Sequence, residues 1–431
     1  MDAGTLYRAA WVIDGSGRPG DGPGAVLVRN GRIAEVLRGE AAIRRAAAGA
    51  EVVSLEGRTL LPGLIDAHVH LCLPGDGTPF PRIVAEPRGV IEAIALRNAA
   101  VALRAGITTL RDCGGFPDVL YALRRAISLG YARGPRLVLA GWPLTITGGH
   151  CHYFGGEADG PDTLRGRVRE AIKGGADYIK AMGTGGGTPG TEAWRPSYSR
   201  EEVAALVDEA HRFGRRATLH CLCAEALRYA VDAGADEIQH AWFMTGPDSP
   251  QALDPGVADA IARAEIPVCP TLGVGRHLRQ AVAAMSAPSP DDETAVLRWE
   301  RVEAEVLDIA GALRSRGVRF VAGSDAGWRF SPFDALLTDL ELMAAVGCSP
   351  LECIHAATGA AADALGVGHE TGMLREGLAA DLIAVWGRPD QDLGGLRRID
   401  RVILAGVPVW SSPVAEGEGR RSPSAESAWN P

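Results

Sequence analysis

From residue 64 onward, apolar segments of strand length alternate with amphipathic segments of helix length, and this alternation constrains the fold of the 431-residue chain. Parallel strands joined by helical crossovers close into a barrel when eight such units follow one another. The predicted strands span residues 64–71, 107–113, 136–140, 177–182, 216–221, 237–242, 267–272 and 319–325. Predicted helices between them include residues 90–104, 119–129, 163–173, 201–213, 224–231 and 294–314. The sequence therefore predicts an α/β chain with a (β/α)8 TIM-like barrel.

Shorter strand-like segments precede and follow this alternation. They lie near residues 6–13, 25–29, 32–37, 51–54, 381–385 and 401–404, and Asn30-Gly31 is a hairpin signal. Neither end has enough apolar length for its own core, so we expect both ends to form one small β-sandwich domain. The predicted division is residues 1–60 and 367–410 for this domain and 61–366 for the barrel. Residues 411–431 are rich in Ser, Pro, Glu, Gly and Arg, which predicts a disordered tail.

Composition excludes some classes of function. The net charge is −9 and the sequence pI about 5.6, so the chain lacks the basic stripe of a nucleic-acid-binding protein. We find no secretion signal in residues 1–15 and no apolar run that would cross a bilayer. Eight cysteines without framework spacing favour free thiols in a reducing cytoplasm. We therefore expect a cytoplasmic protein with a small-molecule partner; a homo-oligomer stays open.

The first barrel strand carries two histidines, His68 and His70, which point to the same face because side chains alternate along a strand. A parallel strand buried on both faces should be almost wholly apolar. Two converging imidazoles suit a divalent metal such as zinc. The alternative is a pair of buried, hydrogen-bonded histidines.

The ends of four other predicted strands weigh against that alternative. Active sites of barrels gather at the C-terminal ends of the strands. Together with the first strand, these ends carry titratable or metal-binding residues in otherwise apolar or small-residue segments: His68, His70, Lys180, His220, His240 and Asp325. A set of this kind at corresponding positions predicts a metal centre.

Lys180 is the most informative member of the set. A lysine buried among histidines and a metal does not easily remain an ammonium. As a neutral amine it can take up carbon dioxide and become a carbamate, an anionic ligand whose two oxygens can bridge two metals. The alternative is a lysine that binds the substrate as a simple cation.

At this point the sequence resembles the amidohydrolase superfamily of metal-dependent hydrolases, from residue 6 to about 410. Within it, the chain is similar to the branch that includes imidazolonepropionase-like proteins, Xaa-Pro dipeptidases and carboxypeptidases acting on N-acyl amino acids. The stretches that carry the resemblance are residues 62–70, 106–112, 177–180, 238–240, 322–327, 356–361 and 377–382.

The resemblance implies two divalent metal ions, which we expect to be zinc. It assigns His68, His70 and Asp325 to one ion and His220 and His240 to the other, with carboxylated Lys180 as the bridge. Asp325 would take a proton from the attacking water and pass it to the leaving amine. This chain departs from the pattern in two places. Gln239 stands where the branch often has Glu, and two thiols, Cys221 and Cys223, follow His220.

The loop after the third strand, residues 145–157, contains glycines beside His150, His152 and Tyr153. We predict that these three side chains bind the substrate; the resemblance suggests that His150 touches its carbonyl or carboxylate. The alternative is a loop packed on itself. The glycine-rich loop 183–190 lacks the lysine spacing of a phosphate-binding loop, so we expect it to shape the pocket.

Two further segments are candidates for contacts near the site. Residues 72–88 could form a lid. Arg276 and His277, after the seventh strand, could meet a substrate carboxylate, or be charges on an exposed loop.

The resulting hypothesis is a zinc-dependent amidohydrolase that cleaves the amide C–N bond of an N-acyl amino acid or dipeptide-like small molecule. A cyclic-amide hydrolase or a heterocycle deaminase is the first alternative, although deaminases of this fold generally use one metal, which Lys180 argues against. A non-catalytic scaffold relative is the second. The sequence leaves open the substrate, the metal used in the cell and the oligomeric state.

Overall fold

The computed structural model describes residues 4–20, 22–247 and 249–413. The chain begins with four strands, and Asn30 and Gly31 both have positive φ in the predicted hairpin between the second and third. A helix that the sequence did not predict, α1, buries Ile43 against this sheet. The elements of this part are β1 (Thr5–Val12), β2 (Gly24–Arg29), β3 (Arg32–Arg38), α1 (Glu40–Ala47) and β4 (Glu51–Pro62).

The barrel follows, and its strands pair in parallel. The strands are β5 (Leu64–Val69), β6 (Ile107–Asp112), β7 (Arg136–Leu139), β8 (Pro143–Leu144), β9 (Ile179–Met182), β10 (Ala217–Cys221), β11 (Glu237–His240) and β12 (Val268–Cys269). The predicted third strand is β7, which pairs with β6, and a short strand that the sequence did not predict, β8, follows it and pairs with β9. The barrel of the sequence prediction is confirmed.

Helices surround the strands. All six predicted helices are present, and each begins within two residues of its predicted start, or four for the longest. The helices are α2 (Phe80–Val84), α3 (Arg88–Arg104), α4 (Pro117–Ser128), α5 (Pro161–Gly174), α6 (Arg200–Arg212), α7 (Ala224–Asp232), α8 (Pro255–Arg263), α9 (Val274–Ala283), α10 (Pro290–Ser315), α11 (Leu336–Ala345), α12 (Pro350–Ala356) and α13 (Gly359–Leu365). Among the described helices, none combines the length and the apolar character needed to cross a bilayer.

The eighth predicted strand, residues 319–325, is not a regular strand. It nevertheless closes the ring, because the Ala67 N–H donates to Ala322 O (3.0 Å) and the Val321 N–H to Val268 O (2.9 Å). Gly323 permits this close approach, since a Cβ there would lie 2.5 Å from Cys269 Sγ and 2.8 Å from His68 Cβ. Between β5 and residues 319–325, irregular hydrogen bonds therefore replace the regular strand pairing that the apolar sequence of this segment predicted.

The chain ends beside its beginning. The last strands are β13 (Leu382–Trp386), β14 (Ile399–Leu404) and β15 (Val407–Ser411). They join the first four in one seven-stranded sheet of order β15-β14-β13-β4-β1-β2-β3. This confirms a small β-domain built from both ends. Ser411, which the sequence assigned to a tail, belongs to β15, and residues 414–431 of that predicted tail lie outside the described residues.

Candidate active site

The ends of the barrel strands bring the six predicted metal-binding residues to one cavity of about 150 Å³. All six line it and are at most 7% exposed: His68, His70, Lys180, His220, His240 and Asp325. The strand pattern that predicted their convergence therefore predicted their location correctly.

Asp325 lies at the centre of this group. Its Oδ1 is 3.4 Å from Nε2 of His68 and 3.4 Å from Nε2 of His70. One ligand atom from each of His68, His240 and Asp325 lies within 4.8 Å of the others. The His220 and His240 ring centroids are 4.5 Å apart, which joins His220 to the group. These separations are short enough for shared metal coordination after small side-chain adjustments.

Hydrogen bonds from outside the cluster fix the protonation of three of its imidazoles. His70 Nδ1 donates to Gly114 O (3.0 Å), which directs Nε2 towards Asp325. His220 Nε2 donates to Gly185 O (3.0 Å), which leaves Nδ1 free.

His240 has the same kind of support. Its Nδ1 lies 2.7 Å from Thr271 Oγ1. That hydroxyl donates to Pro270 O, so its oxygen accepts from His240 and leaves the His240 Nε2 lone pair free. Outer hydrogen bonds of this kind orient histidines that bind metals.

Two buried nitrogens of the cluster lack hydrogen-bond partners among the described residues: Lys180 Nζ and His68 Nδ1. An unpaired buried polar group is costly. Burial, and to a lesser extent the charge of Arg111, lower the pKa of Lys180, which favours the neutral amine. Lys173 and Lys180 are the only lysines in the sequence, and Lys173 is exposed. The imidazole, carboxylate and amine donors present fit a divalent ion such as zinc.

The charge states of the cluster suit the same use. Burial lowers the pKa of His240 to about 3, so its imidazole is neutral, as a metal ligand must be. Burial also lowers the pKa of His68. Burial opposes ionisation of Asp325, but the hydrogen bond and charge of His70 outweigh it and lower the pKa of Asp325. The cluster thus holds the Asp325 carboxylate beside the neutral imidazoles of His68 and His240, while burial of His70 is outweighed by the hydrogen bond and charge of Asp325, which raise the pKa of His70.

Asp66 links the first strand to the irregular eighth segment. Its Oδ1 accepts from the backbone N–H groups of His68 (3.1 Å) and Ser324 (3.0 Å), and its Oδ2 accepts from the Ser324 hydroxyl. This carboxylate therefore sets the position of His68 relative to Asp325. The only sequence signal for the role was an acidic residue inside an apolar strand.

Asp112 has a corresponding role at the end of β6. It accepts from the N–H groups of Leu71 (2.6 Å) and Gly114 (2.9 Å). Because the Gly114 carbonyl accepts from His70, Asp112 orients that candidate ligand through the loop. No sequence pattern predicted this role for Asp112.

Neither departure from the family pattern places a new group among the metal-binding residues. Gln239 turns into the barrel, where its Nε2 lies 3.2 Å from Cys113 Sγ. Cys221 and Cys223 are buried, and burial raises the pKa of both thiols. All eight cysteines are unpaired and buried.

Of the three predicted substrate-binding residues, the structure brings only His150 to the cavity. Its Nδ1 lies 2.8 Å from Thr188 Oγ1 and its ring 4.8 Å from that of His220. His152 and Tyr153 are outside the cavity lining; Tyr153 stacks on Phe80 at 5.5 Å instead.

The loop 183–190 contributes Gly186 and Gly187 to the cavity wall. A Cβ at Gly186 would lie 2.7 Å from His150 Nε2, and one at Gly187 would overlap Trp328. Glycine is needed at both positions to leave the space open, which agrees with the predicted shaping role.

The candidate lid at 72–88 contains α2 and packs over the rim, with the Phe80 ring 4.4 Å from that of Trp328. The prediction that Arg276 and His277 lie on a loop was wrong. Both lie in α9, where Arg276 pairs with Glu303 (3.5 Å) and His277 is buried.

The sequence model of the amidohydrolase family matches residues 59–409. The chain belongs to this family. It is 27% identical to ochratoxinase of Aspergillus niger, with 90% of this chain and 82% of that protein covered. It is also 27% identical to imidazolonepropionase of Acidiphilium cryptum, with 90% and 95% covered. A solved Xaa-Pro dipeptidase with methionine bound in its active site is 27% identical and superimposes with a TM-score of 0.82, covering 95% of this chain and all of that one.

The outer part of this amidohydrolase's cavity was not foreseen from the sequence. Its walls include the indoles of Trp242, Trp299 and Trp328, and its rim includes Arg298 and Arg329. These residues lie on segments that are distant in sequence, so no local pattern relates them.

Backbone strain in the amidohydrolase concentrates at the same end of the barrel. His240, Thr271, Asp325 and Arg329 have φ values of +69°, +47°, +55° and +43°. Non-glycine residues rarely adopt this conformation, and it is retained where surrounding contacts enforce it. Here it turns two of the candidate ligands from strand ends into the cavity.

Proposed function

We propose that this amidohydrolase cleaves the amide C–N bond of an N-acyl amino acid or dipeptide-like small molecule, with two zinc ions and a carbamate on Lys180. The observation that carries the proposal is the buried Nζ of Lys180, which has no hydrogen-bond partner in the described part of the chain and lies beside four histidines and an aspartate around one cavity.

In this proposal His68, His70 and Asp325 would hold one ion and His220 and His240 the other, with the Lys180 carbamate as a ligand shared by both. When bound, such ions lower the pKa of water and polarise a substrate carbonyl.

The chain's own residues then move the protons. Asp325 is the ionised carboxylate of the cluster, so it can accept the proton of the attacking water and pass it to the leaving nitrogen. His150 orients the substrate. Thr188 Oγ1 already accepts from the Cys151 N–H (3.0 Å), so its own hydrogen is available to His150 Nδ1. His150 then carries its proton on Nε2 and can donate it to the substrate carbonyl or carboxylate.

The similar proteins support an amino-acid-like substrate, since the Xaa-Pro dipeptidase holds methionine in its active site. The free thiols support a reducing cytoplasm as its location. We retain the division into a barrel over residues 61–366 and a β-domain over 1–60 and 367–410 as part of the same proposal.

A second candidate, a cyclic-amide hydrolase or heterocycle deaminase, has support from the similarity to imidazolonepropionase. The two candidates differ in their products. Cleavage of an N-acyl amino acid releases a free amino acid, deamination releases ammonia, and opening of a cyclic amide releases neither fragment.

The test is a product screen with zinc-loaded protein. Dipeptides and N-acyl amino acids are assayed beside cyclic amides and amino-heterocycles, with amino acid, ammonia and ring-opened product measured separately. We expect amino acid release. Ammonia alone would establish the deaminase. A protein that binds no zinc and releases no product would point to a scaffold.

A further inference from the structure

Two arginines stand at the outer end of the cavity whose inner end holds the candidate metal ligands. Arg298 belongs to α10, and Arg329 follows Asp325 by four residues. Both side chains are exposed at the rim and line the same cavity. The two cations therefore face the space that leads to the candidate metal centre.

Neither guanidinium has a carboxylate within 4.0 Å among the side chains that the structure describes. Within the described residues, Arg298 Nη2 donates to a backbone carbonyl, Pro247 O, at 3.2 Å. Asp292, the acid whose charge acts on Arg329, is occupied by the Ser289 N–H (3.1 Å) at the start of α10. Partial desolvation and the charge of Arg298 lower the pKa of Arg329. An anion between the two groups would relieve this repulsion.

Arg329 is held in place by its backbone. It has a φ of +43°, its carbonyl accepts from the Gly77 N–H (2.8 Å), and the Gly327 N–H donates to Ser331 O (2.8 Å) across the turn. An arginine kept in a strained turn at a cavity rim is the kind of outlier that accompanies a binding role.

The wall between the arginines and the metal-binding end is aromatic. Trp299 follows Arg298 directly and meets Trp242 edge to face at 5.4 Å, and Trp328 directly precedes Arg329. A ligand that fills this space has three parts: a polar group for the metal-binding end, an apolar side chain for the indoles, and a negative charge for the rim.

We propose that Arg298 and Arg329 bind the carboxylate of an amino-acid-derived ligand whose apolar side chain lies against Trp242, Trp299 and Trp328. The ligand class rests on the proposed function, because the scissile amide is assigned to the metal-binding end. The binding of the carboxylate itself can be measured without hydrolysis.

The experiment compares N-acetyl-L-phenylalanine with N-acetyl-L-phenylalaninamide, which differ in the negative charge. Binding is measured by titration calorimetry to zinc-loaded protein carrying Asp325→Asn, so that turnover does not interfere. We expect the carboxylate to bind about tenfold more tightly than the carboxamide, as for an exposed charge-assisted contact. Arg298→Gln and Arg329→Gln should each remove most of this preference, and Arg298→Lys and Arg329→Lys should restore part of it.

Arg301→Gln is the matched control, since Arg301 is exposed on α10 but lies outside the cavity lining, and it should leave the preference unchanged. In proteins with Asp325 intact, the two Gln variants should raise KM for the N-acyl amino acid with little change in kcat. A carboxylate preference that persists in both Gln variants, or is absent from the parent protein, overturns the proposal. Absence of hydrolysis with the preference intact instead overturns the proposed reaction alone.

Discussion

The Asp325 carboxylate lies between two imidazoles, with Nε2 of His68 and Nε2 of His70 each 3.4 Å from its Oδ1, and removal of its charge is the sharpest single-residue test of the site. Asp325→Asn keeps the size of the side chain and an oxygen ligand but cannot accept a proton at neutral pH. We expect turnover to fall by about 10²-fold or more, as for loss of a general base, while most of the metal stays bound. Turnover and metal content of the purified protein are the measurements.

Asp308→Asn is the control for that variant, because Asp308 is an exposed acid on α10. It should behave as the parent protein does. Substantial turnover in Asp325→Asn would refute the proton-transfer role.

Lys180 offers a test of the carbamate that few proteins allow, since only one other lysine is present. In a Lys173→Arg background, protein loaded with zinc in ¹³C-bicarbonate should show one carbamate carbon signal by NMR. Lys180→Ala should abolish that signal and lower the metal content per chain. An unchanged metal content would exclude a bridging ligand at this position.

At the residue scale, the sequence was enough to locate the candidate metal ligands but not the residues that hold them in position. His68, His220 and Asp325 were predictable because strand ends of a barrel meet at one face. Asp66 and Arg298 were not, since their functions depend on partners from distant segments that no local pattern names.

At the scale of elements, Gly323 controls how closely the first barrel strand, β5, and the irregular segment 319–325 approach each other. Gly323→Ala would place a methyl group 2.5 Å from Cys269 Sγ and 2.9 Å from the backbone nitrogen of His68. We expect the unfolding free energy to fall by about 1–3 kcal/mol from overpacking, together with weaker zinc binding because His68 shifts. Chemical denaturation and zinc titration measure the two effects.

Gly166→Ala is the matched substitution, because a Cβ at this position in α5 meets nothing within 4 Å. It should leave zinc binding unchanged and slightly raise stability, since alanine favours helix. Equal changes in unfolding free energy and zinc affinity for the two substitutions would show that close packing at Gly323 contributes to neither stability nor zinc binding.

The elements themselves were predicted where their patterns were long. The amphipathic helices α3 to α7 and α10 were found, whereas α8 and α9 were missed. The two-residue β12 and the unpredicted two-residue β8 show why strand limits were less accurate, because barrel curvature decides where ladder pairing stops.

At the scale of the whole molecule, buried neutral histidines tie folding to pH. Burial lowers the pKa of His277 to about 4, while an unfolded histidine titrates near 6.5. As pH falls below about 6.5, the unfolded chain binds a proton that the folded one does not, so stability falls by up to about 1.4 kcal/mol per pH unit from this residue.

His277→Gln should therefore reduce the loss of stability between pH 6.5 and 5.0 by up to about 2 kcal/mol. Denaturant unfolding of zinc-free protein at the two pH values gives the difference. His369→Gln, which removes an exposed histidine, should leave that difference unchanged. The same pH response in His277→Gln and the parent would mean that His277 is not held neutral by the fold.

The seven-stranded sheet has a consequence for the order of events during synthesis. One edge of β4 pairs with β1, which precedes it, and the other with β13, which follows the whole barrel. During synthesis, the sheet formed by the first strands therefore cannot be completed until the last strands have left the ribosome. Until β13 emerges, the nascent chain carries an unpaired strand edge, the kind of surface that recruits strands from other chains.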